Sequence, residues 1–208
     1  MASENHIFKL SNAGGFKTIT RYPDMLAGNT VWNPWEPQGA YDALATITVG
    51  ATAVASIDFV GIPTGYKHLE IRALSRDNRA VAGNDLCVRF NGDSSASYRA
   101  HSLYGDGAAA YGYATGATSF IVGGVSSSAS AATNIFAANT ISILDYASTT
   151  KNKTLRNLCG VDFNGSGFMY LDSGFFFGNT NAITSITLFP AGSASFVQYS
   201  QYALYGVR

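Results

Sequence analysis

The chain has 208 residues, 47% of them hydrophobic, which is enough for one well-filled core. Its thirteen basic residues balance its thirteen acidic ones, so the composition offers no cationic face for a nucleic-acid backbone. The longest apolar runs fall far short of the roughly 20 residues that span a bilayer. The start, Met1-Ala2-Ser3-Glu4, has an acid where a signal peptide needs a cation, so we expect synthesis in the cytoplasm without export.

Charged residues make up only 12% of the chain, about half the usual share. Glycine, serine, threonine and alanine are abundant, an alphabet that favours strands and tight turns over helices. Low surface charge is unusual in a free monomer, because charge keeps soluble proteins apart. The composition therefore favours a surface covered by neighbours, and a β-rich secreted monomer is the alternative.

Residues 1–43 differ from the rest, since they contain both tryptophans and three of the five prolines. Proline removes a backbone donor and biases the preceding residue to extended geometry. Large aromatic side chains in such a segment need a surface to cover them. We therefore predict an extended N-terminal anchoring arm that docks through Phe16, Tyr22, Trp32 and Trp35 on a neighbouring subunit, with its own domain as the alternative.

Residues 44–208 show the period of two that is typical of strands. Leu69, Ile71 and Ala73, for example, alternate with their neighbours along one predicted strand. Turn signals every 8–12 residues separate about ten such runs, and the first two runs, 44–49 and 54–60, are predicted to form a hairpin. The sequence therefore predicts an all-β fold, an antiparallel, jelly-roll-like β-sandwich carrying the arm.

Residues 104–133 are rich in glycine, alanine and serine and predict weak strands with long loops. Within them, residues 126–132 are predicted to be a mobile loop tip. Tyrosine gives a broad amphipathic contact at low entropic cost. We therefore predict Tyr104, Tyr111 and Tyr113 to be surface-loop contact residues.

No catalytic or metal-binding constellation stands out, and we expect no enzyme activity and no cofactor. His6, His68 and His101 are isolated in the sequence, so they make no metal-binding pair. No Gly-x-Ser-x-Gly elbow occurs, and the similar run 164–167 lies between two predicted strands, where it indicates a hairpin loop.

Two features stay open at the level of the sequence. Asp at a turn usually bonds its own backbone, but carboxylates in neighbouring loops can also bind a cation. The two cysteines, Cys87 and Cys159, have apolar neighbours and could be paired or free. The loop acids in question are Asp77, Asp85, Asp93 and Asp106.

Several short motifs across residues 44–208 occur in an order that resembles a group of tailed-bacteriophage virion proteins. The motifs are Ile57-Asp58-Phe59, Ile62-Pro63-Thr64-Gly65-Tyr66-Lys67-His68-Leu69-Glu70-Ile71-Arg72, Arg89-Phe90-Asn91-Gly92-Asp93 with Tyr98, Ile143-Leu144-Asp145-Tyr146-Ala147, Lys151-Asn152-Lys153-Thr154, Asn181-Ala182-Ile183-Thr184-Ser185-Ile186-Thr187-Leu188 and Tyr202-Ala203-Leu204-Tyr205-Gly206-Val207.

The resemblance implies a structural protein on the exterior of a virion, with other virion proteins as partners and no catalytic residues. It favours a tail fibre or adhesin-type appendage for host attachment, anchored by the arm, often trimeric and facing a host surface receptor. A capsid decoration or cement protein is the alternative. A secreted carbohydrate-binding or hydrolytic β-sandwich is a third reading, from a different class.

Overall fold

A computed structural model describes residues 40–177 and 179–208. Its described part contains twelve strands and no helix, and hence no helix that could cross a membrane. The strands are β1 (Tyr41–Thr48), β2 (Ile57–Val60), β3 (His68–Ser75), β4 (Gly83–Phe90), β5 (Tyr98–Gly105), β6 (Ala110–Thr118), β7 (Ile121–Ser127), β8 (Ala137–Leu144), β9 (Lys153–Asp162), β10 (Gly167–Phe176), β11 (Ser185–Pro190) and β12 (Gln201–Val207).

The strands form two sheets of unequal size. The large sheet has eight strands in the order β1-β12-β3-β8-β9-β10-β5-β6, and the small sheet has four in the order β2-β11-β4-β7. All paired strands are antiparallel. The chain crosses between the sheets at most of its connections, as jelly rolls do. The predicted antiparallel sandwich is confirmed.

Alternation along each strand defines the two faces of the large sheet. In β3, Leu69, Ile71 and Ala73 are buried, whereas Arg72 and Leu74 are exposed. We call the buried side, which faces the small sheet, the inner face, and the opposite side the outer face. Because paired residues point to the same side, the strand registers extend these two labels across all eight strands.

An aromatic cluster closes the core near the start of β5. The rings of Phe90 and Phe176 lie 5.8 Å apart at a steep angle, and Tyr98 stacks on Phe176 at 4.7 Å. All three residues are fully buried. The Tyr98 hydroxyl accepts a hydrogen bond from the Phe90 amide and donates one to the Asp93 carbonyl. The small sheet is thereby fastened to the large one at the point where β4 turns into β5.

Two local expectations are wrong. Strands β1 and β2 do not form a hairpin, because β1 pairs with β12 in the large sheet and β2 pairs with β11 in the small one. The tract 126–132 is also not a loop tip over its whole length: Ser126 and Ser127 end strand β7 and are fully buried, and only positions 129, 130 and 132 are exposed. The Ser126 hydroxyl donates to that of Ser75, which in turn donates to the carbonyl of Val125.

Candidate functional site

The predicted tyrosines lie on strands and not in loops. Tyr104 belongs to β5, and Tyr111 and Tyr113 belong to β6, which pairs with β5 from Tyr98 to Gly105. The glycine- and alanine-rich sequence forms a strand here because pairing with β5 satisfies its backbone. The predicted docking residues of the arm lie outside the described residues; they are Phe16, Tyr22, Trp32 and Trp35.

Five rings form what we call the tyrosine cluster: Tyr104, Tyr111, Tyr113, Tyr170 and Phe168. Tyr104 is at its centre, stacked between Tyr111 at 4.9 Å and Tyr170 at 5.0 Å, with interplanar angles of 23° and 21°. Tyr113 and Phe168 meet the ring of Tyr104 edge-on at 6.2 and 6.5 Å. Such cross-strand contacts between aromatic side chains stabilise a sheet.

The cluster is open to solvent because the small sheet does not extend over the end of the large one. One cross-strand row of the inner face runs from Asn139 through Cys159, Tyr170 and Tyr104 to Tyr111. Asn139 and Cys159 are each 3% exposed, Tyr170 and Tyr104 are partly buried, and Tyr111 is 44% exposed. Strand β7 packs mainly on β8, β9 and β10 and less on β5, so β6 and the end of β5 that carries Tyr104 project beyond it.

A polar row lies beside the cluster on the same inner face. It runs from Asn157 through Asp172 and Ser102 to Tyr113 in successive strand pairs. The first three are at least 95% buried, and Asn157 Nδ2 donates to Asp172 Oδ2 at 3.1 Å.

Burial raises the pKa of the Asp172 carboxyl, and it also raises the pKa of the Tyr113 hydroxyl. Three oxygens of the row find no hydrogen-bond partner among the described residues: Asn157 Oδ1, Asp172 Oδ1 and Ser102 Oγ. The row therefore contains buried polar atoms that no other described residue satisfies.

The outer face of the same strands is apolar, and we call Leu103, Leu158, Leu171, Met169 and Phe175 the apolar patch. Leu103, Leu171 and Leu158 are direct cross-strand neighbours on β5, β10 and β9. They are 54%, 55% and 55% exposed, and Met169 is 65% exposed. These adjacent exposed apolar side chains make the patch a candidate interaction surface.

Part of the apolar patch lines a depression of about 760 Å³. Gly112 faces Leu103 across β5 and β6 and has no side chain, so the backbone forms the floor beside Leu103 and Leu171. In the neighbouring row, Ser173 is a small residue between His101 and Arg156. A flat apolar group with an acidic neighbour would fit this lining.

The run 164–167, His68 and the two cysteines lie in structural positions and do not form a reactive site. Run 164–167 closes the β9–β10 hairpin, as predicted, with the Phe163 amide donating to the Ser166 carbonyl at 2.6 Å. His68 Nδ1 accepts from the backbone amide of Asp145 at 3.0 Å. The two cysteines, Cys87 and Cys159, are both buried and free.

The loop acids are not gathered at one place. Asp77 is buried and accepts from Asn84 Nδ2 at 3.0 Å, and Asp85 lies on strand β4. The Asp93 carboxylate accepts a hydrogen bond from the backbone of its own turn. Backbone amides also donate hydrogen bonds to the Asp106 carboxylate, and they lower its pKa. In residues 40–177 and 179–208, no three acids, histidines or cysteines cluster in a way that could hold a metal ion.

The sequence reading missed Phe168, Tyr170 and the apolar patch. A usable signal was present in 168–171, where Phe, Met, Tyr and Leu follow one another without the alternation of a half-exposed strand. Consecutive large apolar residues in a strand indicate that both faces make contacts.

The chain was also compared with known proteins. No protein-family model, no curated protein and no solved structure matches it. What bears on its function is therefore the sandwich itself, with the tyrosine cluster on one face of its projecting end and the apolar patch on the other.

Proposed function

We propose that the chain is a non-enzymatic structural protein of a tailed-phage virion, a tail fibre or adhesin-type appendage on the exterior of the particle. The segment before β1 anchors it, and the sandwich faces outward. The order of short motifs from Ile57 to Val207 supports the virion assignment. An assembly role is supported independently by the apolar patch.

The apolar patch is the observation that carries the assembly role. Burying an exposed leucine or methionine contributes about 1.5–3 kcal/mol when the burial is complete. Leu103, Leu158, Leu171 and Met169 are each more than half exposed in the single chain, so a partner laid over them gains roughly half of such an increment at each. An enzyme that works as a free monomer has no use for this surface.

The tyrosine cluster supports contact with a host surface. Its rings offer flat faces for stacking and hydroxyls for hydrogen bonds, a combination common in protein contact sites. Tyr111 and Tyr113 are 44% and 40% exposed, and Tyr104 packs between Tyr111 and Tyr170. The cluster is thus rigid before contact, which lowers the entropic cost of binding.

Labelling of purified phage particles tests the proposal. A gold-conjugated antibody against the sandwich should decorate the tail, and densitometry should give tens of copies or fewer per particle. Decoration of the head with hundreds of copies would support the alternative, a capsid cement protein. Absence of the protein from particles contradicts both, and release of sugar from host polysaccharide by the purified chain contradicts the non-enzymatic assignment.

A further inference from the structure

The depression over Gly112 has the lining of a docking site, and the chain itself contains a segment that matches it. We propose that it receives residues 32–37 of an adjacent copy, Trp-Asn-Pro-Trp-Glu-Pro. This inference deepens the proposed function and rests on the assembly role given there. It identifies the surface to which the anchoring segment binds.

The shape of the depression suits a flat apolar ring. Leu103 and Leu171 form one wall, and the bare backbone at Gly112 forms the floor. Its volume of about 760 Å³ lies within the range of pockets that bury whole ligands. Trp32 and Trp35 are the two largest apolar side chains available in the sequence before β1. Indole rings also dominate the binding energy of many interfaces.

Charge complementarity favours this segment over a second copy of the same face. Arg156 and His101 line the depression from the outer face, and the one acid in its lining, Asp172, belongs to an inner-face row. The segment 32–37 contains Glu36 and no basic residue. Docking would place Glu36 near Arg156, whereas two identical faces would bring arginine against arginine.

The reach of the chain indicates that the segment comes from another copy. Ala40 is fixed beside β1, because its carbonyl accepts from the amide of Arg208 at 3.1 Å. Strand β10 is five positions from β1 in the large sheet, about 24 Å at the usual spacing of 4.8 Å.

The strand registers place Phe175 of β10 level with Tyr41. Leu171 lies four residues before Phe175, which adds about 14 Å along the strand. The combined distance is about 28 Å. Five residues, from Trp35 to Ala40, span at most about 18 Å when fully extended. Trp35 therefore cannot reach Leu171 of its own chain. Trp32, eight residues before Ala40, spans up to about 29 Å and could reach it, so it is the docking of Trp35 that requires another copy.

The prolines of the segment are compatible with docking on the face of the sheet and not with pairing as an added strand at its edge. Pro34 and Pro37 are three residues apart, so in either register one of them would fall where an added strand must donate a backbone hydrogen bond. A segment of this kind gains its affinity from side chains laid on a surface. That is what the outer face of β5, β6 and β10 offers.

Disulfide trapping in the full-length chain tests the proposal. One chain carries Trp35→Cys and a second, co-expressed chain with a size tag carries Leu103→Cys. The native Cys87 and Cys159 are at most 3% exposed, and burial raises the pKa of the Cys159 thiol to about 12, so both should stay unreactive. The matched control replaces Leu103→Cys by Val60→Cys, which is 76% exposed on the small sheet.

Mild oxidation should link the chains through positions 35 and 103 and leave the pair at 35 and 60 unlinked. Missing linkage at 103, or equal linkage at 60, overturns the proposal. Purified chains suffice for this experiment, whereas the particle labelling addresses the virion assignment, so either result can fail without the other.

Filling the depression provides a second test. A Cβ at Gly112 would lie 3.8 Å from the nearest atom, the Ser102 carbonyl oxygen, so Gly112→Val should fold while blocking the site. Gly116→Val on the same strand meets no atom within 4 Å and leaves the depression free. Light scattering should show an oligomer for the parent chain and for Gly116→Val, and a monomer for Gly112→Val. A monomeric parent chain, or an oligomeric Gly112→Val variant, contradicts the proposal.

Discussion

The covered middle of the large sheet and its projecting end share one backbone ladder but differ on both faces. In the middle, Ile71 and Ile141 pair on the inner face and are fully buried, and Arg72 and Thr140 point outward. At the projecting end, the inner face carries the tyrosine cluster and the outer face carries Leu103 and its apolar neighbours. A sheet with an apolar core face and a polar solvent face needs no further contact to cover its apolar side chains. A sheet end with large apolar side chains on both faces leaves apolar surface exposed, and the contacts proposed above would cover it.

Truncating one side chain in each region should have unequal effects on stability. Ile141→Ala should lower the free energy of unfolding by about 3 kcal/mol, since a fully buried isoleucine leaves a cavity that its neighbours cannot fill. Leu171→Ala should cost less than about 1 kcal/mol in the monomer, because Leu171 is 55% exposed.

Urea denaturation, at a concentration where the chain is monomeric, measures both values. Equal losses for the two variants would mean that the projecting end belongs to the core as fully as the middle does. The middle and the projecting end of the large sheet would then contribute equally to stability.

The second test concerns the line where the small sheet rests on β10. A Cβ added at Gly174 would lie 2.3 Å from Cγ2 of Ile121, which is itself fully buried. Gly174→Ala should therefore destabilise the sandwich by about 1–3 kcal/mol, the cost of overpacking a filled core. Thermal unfolding of the purified variant, followed by circular dichroism, measures the loss.

Gly116→Ala on β6 is the matched control. A Cβ at Gly116 meets nothing within 4 Å, so we expect an effect of less than about 0.5 kcal/mol. A loss at Gly116 as large as that at Gly174 would show that β6 is packed against a second layer.

The third test uses the polar row between the two regions, where Asp172 is 2% exposed. Burial raises the pKa of Asp172, so its charged form is disfavoured in the folded state. The stability that the protonated Asp172 carboxyl contributes is fully present below the pKa of an unfolded aspartate, near 3.9. It is lost as the pH rises through the higher pKa of the folded state. Asp172→Asn removes this loss and gives a donor to a row that has orphaned oxygens.

We expect Asp172→Asn to be about 1 kcal/mol more stable than the parent at pH 7 and nearly equal to it at pH 3. Urea denaturation at a series of pH values gives the difference curve. A variant that is less stable at pH 7 would show that hydrogen bonds such as the one from Asn157 Nδ2 stabilise the ionised carboxylate more than burial disfavours it.

The repeating features of the fold could be predicted from the sequence. Alternation at Leu69, Ile71 and Ala73 gives the inner face of β3, and the run 164–167 gives a hairpin loop. Both depend on neighbours within a few residues. The antiparallel sandwich follows from many such local signals.

Pairing between distant strands could not be predicted in this way. Residues 50–53 look like a hairpin turn, yet β1 pairs with β12 near the other end of the described chain. Nothing local distinguishes a turn that returns to the same sheet from one that crosses to the other sheet. The serine tract was misplaced for a related reason, because the hydroxyl of Ser126 donates to that of Ser75, about 50 positions earlier.

The tyrosine cluster and the depression could be predicted only in part from the sequence. Tyr104, Tyr111 and Tyr113 were recognised as contact residues by composition, and their contact role stays a prediction. Their assembly into one cluster with Tyr170 depends on the β5–β10 pairing. The depression depends on Gly112 facing Leu103 across a strand pair, which no local pattern reveals.

The smallest effect is expected at the outermost ring of the tyrosine cluster. Tyr111 is on the edge strand β6, 44% exposed, and stacks on Tyr104 at 4.9 Å. Tyr111→Ala should lower the free energy of unfolding by about 0.5–1 kcal/mol, the value of one cross-strand aromatic pair. Tyr111→Phe keeps the ring and should be within about 0.5 kcal/mol of the parent, because the hydroxyl is at the surface. Urea denaturation of both variants separates the stacking of the ring from any role of its hydroxyl. A loss from Tyr111→Ala that approaches that of Ile141→Ala would mean that the cluster is a second core, and its tyrosines would then be explained by stability without any contact partner.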